Sequence, residues 1–344
     1  METPGCTFSN ASTVNMYKEI VDFETQEKVW FILCIISVPL CIFGIVFSAF
    51  NITVYGKLPL RTSTYIFLIS LSVSDLLHVI FGLVRVCLSL SRGETYVAFV
   101  SSTYVIMKPV VFLVVALRRF SVCLHCALIA ERFVSLICDL NSCPVRLFKW
   151  PRVIIVILAI LTVASRALAW LKITIKEVTW CNEEIYTASE LYGNNAQYFD
   201  YLEIFINIIF LFMPVSFIVI FIIGVMMCFK KYNPIDLRSG SRIQKVKCVR
   251  LTKLVLRTTV VFLLFHLPTT ATFFFSSIFK DFHMAGRETN IFKLCQRIGF
   301  VSDIIGNTTN FFFYMYLCVP FRKTFKTVIL KPFLSKFNDE SYVS

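Results

Sequence analysis

The sequence predicts an all-α membrane protein, a seven-transmembrane helix bundle with a short amphipathic eighth helix. Three observations predict it. Of 344 residues 57% are hydrophobic and 36 are phenylalanine, giving a mean hydropathy of +0.74, too apolar for a water-soluble domain of this length. Crossing the hydrocarbon core takes about 20 predominantly apolar residues, and such segments recur at 29–55, 65–90, 105–135, 153–174, 202–228, 254–279 and 297–318. Between them, basic and acidic connections alternate. The chain therefore divides into an extracellular tail (1–28), the bundle (29–318) and a cytoplasmic helix and tail (319–344).

The elements follow in order. Residues 1–28 have no apolar core of the kind a cleavable signal needs, so the first span is expected to insert by itself. Asn10-Ala-Ser12 is a glycosylation sequon on that tail, whereas Asn51-Ile-Thr53 and Asn307-Thr-Thr309 match the pattern at membrane depth. Lys57 and Arg61 precede span two, and Arg146, Lys149 and Arg152 precede span four. The connection 229–257, between spans five and six, sets nine basic residues against Asp236, and Arg322, Lys323, Lys326 and Lys331 follow span seven. Parity puts all of these on one side, the cytoplasm. The opposite side is acidic, with Glu19, Asp22, Glu24 and Glu27 before span one and Glu177, Glu183, Glu184 and Glu190 after span four. The net charge of +13 is thus mainly a topology signal rather than a nucleic-acid footprint. The two tails and 232–245 are the weakly structured segments.

Most of the 13 cysteines lie in apolar helices as small buried hydrophobes. Cys6, Cys87, Cys181 and Cys295 sit in or near oxidising space, which allows three connectivities; we expect Cys87 with Cys181 and Cys6 with Cys295. Four histidines without metal-ligand spacing, and no phosphate-cradling glycine loop, argue against an enzyme. Only 11 glycines and no internal repeat argue against a transporter or channel.

Polar groups at membrane depth are costly and face the bundle interior, so each is a functional candidate. They are Asn51 in span one, Asp75 in span two, Ser121 and Arg132 in span three, His266 beside Pro268 in span six, and Asn307, Asn310 and Tyr314 in span seven. The pattern resembles the rhodopsin-like G-protein-coupled receptors. Asn51 and Asp75 stand where that family has its span-one asparagine and its sodium-binding aspartate. Glu131-Arg132-Phe133 resembles its acidic-Arg-aromatic triplet, and Phe262 and Pro268 fit span six, with His266 in place of tryptophan. Asn310-Phe-Phe-Phe-Tyr314 resembles Asn-Pro-x-x-Tyr with phenylalanine for proline, and FRKTF at 321–325 matches the inner-leaflet helix. Arg118-Arg119 with Ser121, Leu124, Ala127 and Arg132, together with KLVLRTTVVFLLFHLP (253–268) and RTSTYIFLISLSVSDLL (61–77), is similar to the nematode serpentine receptors of class W, themselves similar to FMRFamide-type peptide receptors.

The resemblance implies a plasma-membrane receptor, not an enzyme, that binds an extracellular ligand and activates a heterotrimeric G protein. Glu131, Arg132, Asn310 and Tyr314 would form the switch, Arg132 pairing with Glu131 at rest. The span-six acid that many members add reads Lys247-Cys248-Val249 here, so ligand-independent signalling is expected. Asp75, Ser121, Asn307 and Asn310 would surround either an allosteric sodium ion or a proton-sharing network, with no other cofactor. His125 occupies a site the family fills with an aliphatic residue, and reads as a packed neutral histidine rather than a pH sensor.

Arg118 lies one turn outside Ser121 on the same face, and needs an acceptor, for which Asp303 is the best candidate; Glu203 or Asn207 would serve Arg119. These arginines, with Arg85 and Arg166, either tie helices together or present positive charge to an anionic or peptide ligand, and both roles are compatible. Arg85, Arg118, Arg119, Glu203, His266 and Asp303 are the ligand-binding candidates. Val114 where monoamine receptors have aspartate argues against a biogenic amine, and Ile304 where visual pigments have lysine excludes retinal. Met107 stands where the family expects its disulfide cysteine. A neuropeptide is the favoured ligand, with an environmental small or anionic molecule as the alternative.

Overall fold

The structure, a computed structural model, describes residues 23–58, 63–90, 96–137, 150–170, 173–180, 183–190, 196–231, 242–279, 281–282 and 288–331. Within these, the side chains at 23, 24, 26, 27, 96–106, 168–200, 203, 229–231 and 242–248 lie outside the description. Asn10, Cys6, Cys181 and the side chain of Glu203 are therefore among the expected site residues that are not described.

Helices α1 (Phe23–Lys57), α2 (Ser63–Leu90), α3 (Tyr96–Ile137) and α4 (Pro151–Trp170) lead to an antiparallel hairpin, β1 (Ile173–Trp180) with β2 (Glu183–Glu190). Helix α5 runs from Ala196–Asn207 through a π-helical turn, Ile208–Phe212, into Met213–Lys231. Then come α6 (Arg242–Ile278), α7 (Thr289–Leu317) and α8 (Val319–Phe325), the last passing into a π turn at Lys326–Leu330. Stretches of α1, α2, α3, α5 and α6 are each long and apolar enough to cross a membrane. Helix α4 has 20 residues, and α7 packs between α1 and α6.

Packing follows the chemistry of a lipid solvent. The buried stripe of α1 is Trp30, Cys34, Ser37, Cys41, Gly44, Ser48, Asn51 and Tyr55, spaced three and four apart and mostly small or polar. Its opposite face exposes Phe31, Ile35, Ile42, Phe43 and Val46, and α4 similarly exposes Val156, Ile160 and Val163. Large apolar groups thus lie outside, while Asp75, His78, Arg118, Arg119, Glu131 and Arg132 are inside. Two apolar clusters fill the interior: an inner one around Leu68, Leu128, Tyr314 and Phe321, and an outer one around Val79, Val114, Phe300 and Ile304.

Three expectations need correction. Span four was placed at 153–174, but its helix ends at Trp170 and a strand starts at Ile173, because five of the eight residues of ITIKEVTW are β-branched and favour pleated backbone. The helix that carries span six begins at Arg242, inside the stretch 232–245 read as weakly structured, and its apolar span at Val249 rather than 254. Cys87 and Cys295 are free thiols among the described residues, while their expected partners Cys181 and Cys6 lie outside them, so neither pairing is present there. For Cys87 the reason is orientation: it continues the exposed stripe Val73, Leu77, Val84 on the outward face of α2.

Candidate functional site

The buried polar groups form three layers. In the outermost, Arg118 on α3 reaches Asp303 on α7, with Nε 2.8 Å from Oδ2 although its N–H is not aligned on that oxygen. Asp303 also accepts from Thr269 Oγ1 at 3.0 Å and lies 3.0 Å, through Oδ1, from His266 Nδ1. One carboxylate therefore clasps three helices. The closeness of α6 and α7 depends on Gly299: a Cβ there would sit 2.5 Å from Thr269 Oγ1 and 3.1 Å from Thr269 backbone atoms. Arg119, the next residue of α3, faces the other way, donating to Asn207 Oδ1 and, at 3.2 Å, to Ser165 Oγ. It joins α3 to α4 and α5. Asn207 directly precedes the π turn, which closes with a bond from Met213 N–H to Ile208 O just before Pro214, a residue with no N–H to donate.

In the middle layer Asn310 Nδ2 donates to Asp75 Oδ2 at 3.0 Å. Ser121 is beside Asp75, yet neither Asp75 Oδ1 nor Ser121 Oγ makes a hydrogen bond of normal geometry. Asn307 does not complete this group: its Nδ2 is 3.0 Å from His78 Nδ1. Asn51 is buried with its Oδ1 unpartnered among the described residues.

In the inner layer Glu131 and Arg132 form a bidentate pair, Nε to Oε2 at 2.6 Å and Nη2 to Oε1. The same carboxylate accepts from Ser63 Oγ at 2.7 Å and from Thr64 Oγ1 at 3.0 Å, both in the first turn of α2. Tyr314 is buried edge-on against Tyr55, with ring centroids 5.1 Å apart. A stack of rings spans the space between layers: His125 lies 3.9 Å from Phe262, which lies 5.1 Å from His266. His125 is fully buried and neither of its ring nitrogens has a partner among the described residues.

A model of the seven-transmembrane receptors of the rhodopsin family matches residues 51–306, from the span-one asparagine to three residues past Asp303. The chain belongs to that family. No curated protein matches it significantly. As a rhodopsin-family receptor it is a multi-pass membrane protein that takes an extracellular ligand and signals through heterotrimeric G proteins, and members of that family are receptors rather than enzymes.

Of the expected site residues the structure brings together Arg118, His266 and Asp303; Arg119 with Asn207; Glu131 with Arg132; and Asp75 with Asn310 and Ser121. Arg85 stands apart, its guanidinium 4.8 Å from the centroid of Phe300. Sequence reasoning passed over five participants: Ser63, Thr64, His78, Ser165 and Thr269. All but Ser165 carried a signal. His78 is three residues from Asp75 and Thr269 three from His266, both on the interior face. Ser63 and Thr64 are hydroxyls at a helix start, where an anion is favoured.

Proposed function

We propose that this receptor is gated by a neuropeptide, belongs with the nematode class W receptors similar to FMRFamide-type receptors, and has its N-terminus outside the cell. The observation that carries the reading is the clasp of Arg118, Asp303, His266 and Thr269, which puts charge of opposite sign on α3 and α7, with polar groups of α6 between them. Both signs suit a ligand that, like a peptide, offers both donors and acceptors. Arg85, Arg118, Arg119, Glu203, His266 and Asp303 supply its polar contacts.

Release of Arg132 from Glu131 toward the G protein is the output step, with Asn310 and Tyr314 following on α7. The free oxygens of Asp75 and Ser121 fit a small hard cation. They would hold a sodium ion, which supplies the counter-charge that a buried carboxylate needs.

The test is a calcium readout in cells bearing a promiscuous G protein, challenged with amidated invertebrate peptides, on wild type and Arg132→Ala at matched surface density. A peptide response lost in the variant supports the reading. Silence from well-displayed wild type refutes the peptide and moves the assignment to an environmental small molecule.

A further inference from the structure

The arginines of the bundle are not equally satisfied. Arg118 has Asp303, Arg119 has Asn207 and Ser165, and Arg132 has Glu131. The guanidinium of Arg85, in α2, makes no hydrogen bond or ion pair among the described residues, although its backbone carbonyl accepts from Ser89 Oγ at 2.9 Å. Its guanidinium lies over the face of Phe300 at 4.8 Å, and its charged neighbours are two further guanidiniums, Arg118 and Arg297. Arg297 is itself stacked at 4.6 Å over Trp30. Among the described residues, the Asp303 carboxylate is already committed to Arg118, His266 and Thr269.

A guanidinium has five donors in a planar fork and keeps its charge. A ring face meets part of that charge but none of the donors. Lodged between helices beside two like charges, such a group destabilises the unliganded protein and is ready for an oxyanion. Aromatic and aliphatic walls adjoin it: Phe300, Val86, Ile304 and Trp30 belong to the outer apolar cluster, and Gly82 admits Phe300 so closely that a Cβ there would meet its ring at 3.2 Å.

We propose that Arg85, with Arg297 contributing field, is the anion-capture residue of the outer half, and that the ligand bears a carboxylate on an apolar or aromatic body. This rests on the receptor reading and shifts its ligand class: an amidated peptide qualifies only through a side-chain carboxylate. A peptide's C-terminal or side-chain carboxylate and a small organic acid share that chemistry.

The experiment uses the purified full chain, wild type and Arg85→Met, in detergent and in phosphatidylcholine nanodiscs. Thermal unfolding is followed alone and with two probe pairs, N-acetylphenylalanine against its amide and the tetrapeptide Phe-Met-Arg-Phe as acid against amide. Arg85→Met alone should unfold at a higher temperature than wild type, because it removes an unmet charge while keeping the stem. Wild type should be stabilised by an acid more than by its amide, and the variant should lose at least about tenfold of the acid's affinity. Preference confined to the tetrapeptide acid identifies a peptide source, and preference for both acids an organic acid.

A lower unfolding temperature for Arg85→Met overturns the proposal, as does the absence of acid preference in both pairs. So does a gain of stability present in detergent but absent in nanodiscs, which assigns Arg85 to lipid phosphate. Failure of the receptor reading shows separately, as wild type and Arg132→Ala giving equal G-protein activation, and leaves the Arg85 result standing.

Discussion

Asp303→Leu should be far more harmful alone than together with Arg118→Met. Asp303 is the acceptor shared by Arg118, His266 and Thr269, and the side chains of the ion pair are only 9% and 4% exposed. Removing the carboxylate leaves a guanidinium between helices without counter-charge. Breaking a buried pair in this way costs about 3–5 kcal/mol, whereas replacing both partners by apolar groups is often neutral or stabilising. The double variant still loses the acceptor for Thr269 and His266, about 1 kcal/mol each, so it should fall about 2 kcal/mol below wild type. The coupling energy between positions 118 and 303 is then several kcal/mol, well beyond the few tenths found for independent sites. The assay is thermal unfolding of the four purified proteins in one detergent, with the surface-displayed fraction as a parallel readout. A double variant destabilised by the sum of the two singles would refute the reasoning, because it would mean that the charges do not hold each other.

Three further outcomes are expected. Phe311 stands where the family motif has proline and packs against Phe47, Phe50 and Phe325 at 4.8, 6.0 and 5.6 Å; Phe311→Ala should cost about 3–5 kcal/mol and Phe311→Leu clearly less, read by unfolding. Gly299→Ala should cost about 1–3 kcal/mol by forcing Thr269 away from α7, while Gly56→Ala, at a helical position with no atom within 4 Å of the added carbon, should stabilise by up to about 1 kcal/mol. Ser63→Ala with Thr64→Val should lower ligand-independent signalling roughly fivefold, about 1 kcal/mol. Those hydroxyls bond more strongly to a Glu131 carboxylate released by Arg132 than to a paired one, so they favour release; higher basal signalling in this variant would reverse that sign.

The number of spans and their order were legible because a bilayer requires long apolar runs, and few other structures contain them. The partner of Arg118 was legible too, since a buried cation needs an acid and Asp303 lies two turns outside Asn310 on the facing helix. Three kinds of feature were not. The turn of Asn307 toward His78 depends on side-chain rotation, which spacing does not fix. The hairpin after span four has eight-residue strands whose apolar content merges with the end of a membrane segment, so the change from a period of 3.6 to one of 2 was hidden. The disulfide expectation relied on which cysteines lie near oxidising space, and Cys87 is near it yet points outward.

The two best-formed ion pairs differ in what breaking them does to the bundle. Glu131 and Arg132 are neighbours on one helix, so their separation removes no contact between helices, and Ser63 and Thr64 remain to hold the carboxylate. Arg118 and Asp303 join α3 to α7, and through His266 and Thr269 to α6, so their separation frees three helices at once. The inner pair can therefore change state at small structural cost, while the outer clasp fixes helix positions. Between them lies the stack of His266, Phe262 and His125, the last only seven residues, two helical turns, from Arg132. Any group that draws Asp303 away must also release His266 Nδ1 and unseat that stack. Its effect would run through packed rings as far as His125 and from there along α3, without a continuous chain of hydrogen bonds, since neither ring nitrogen of His125 is bonded among the described residues.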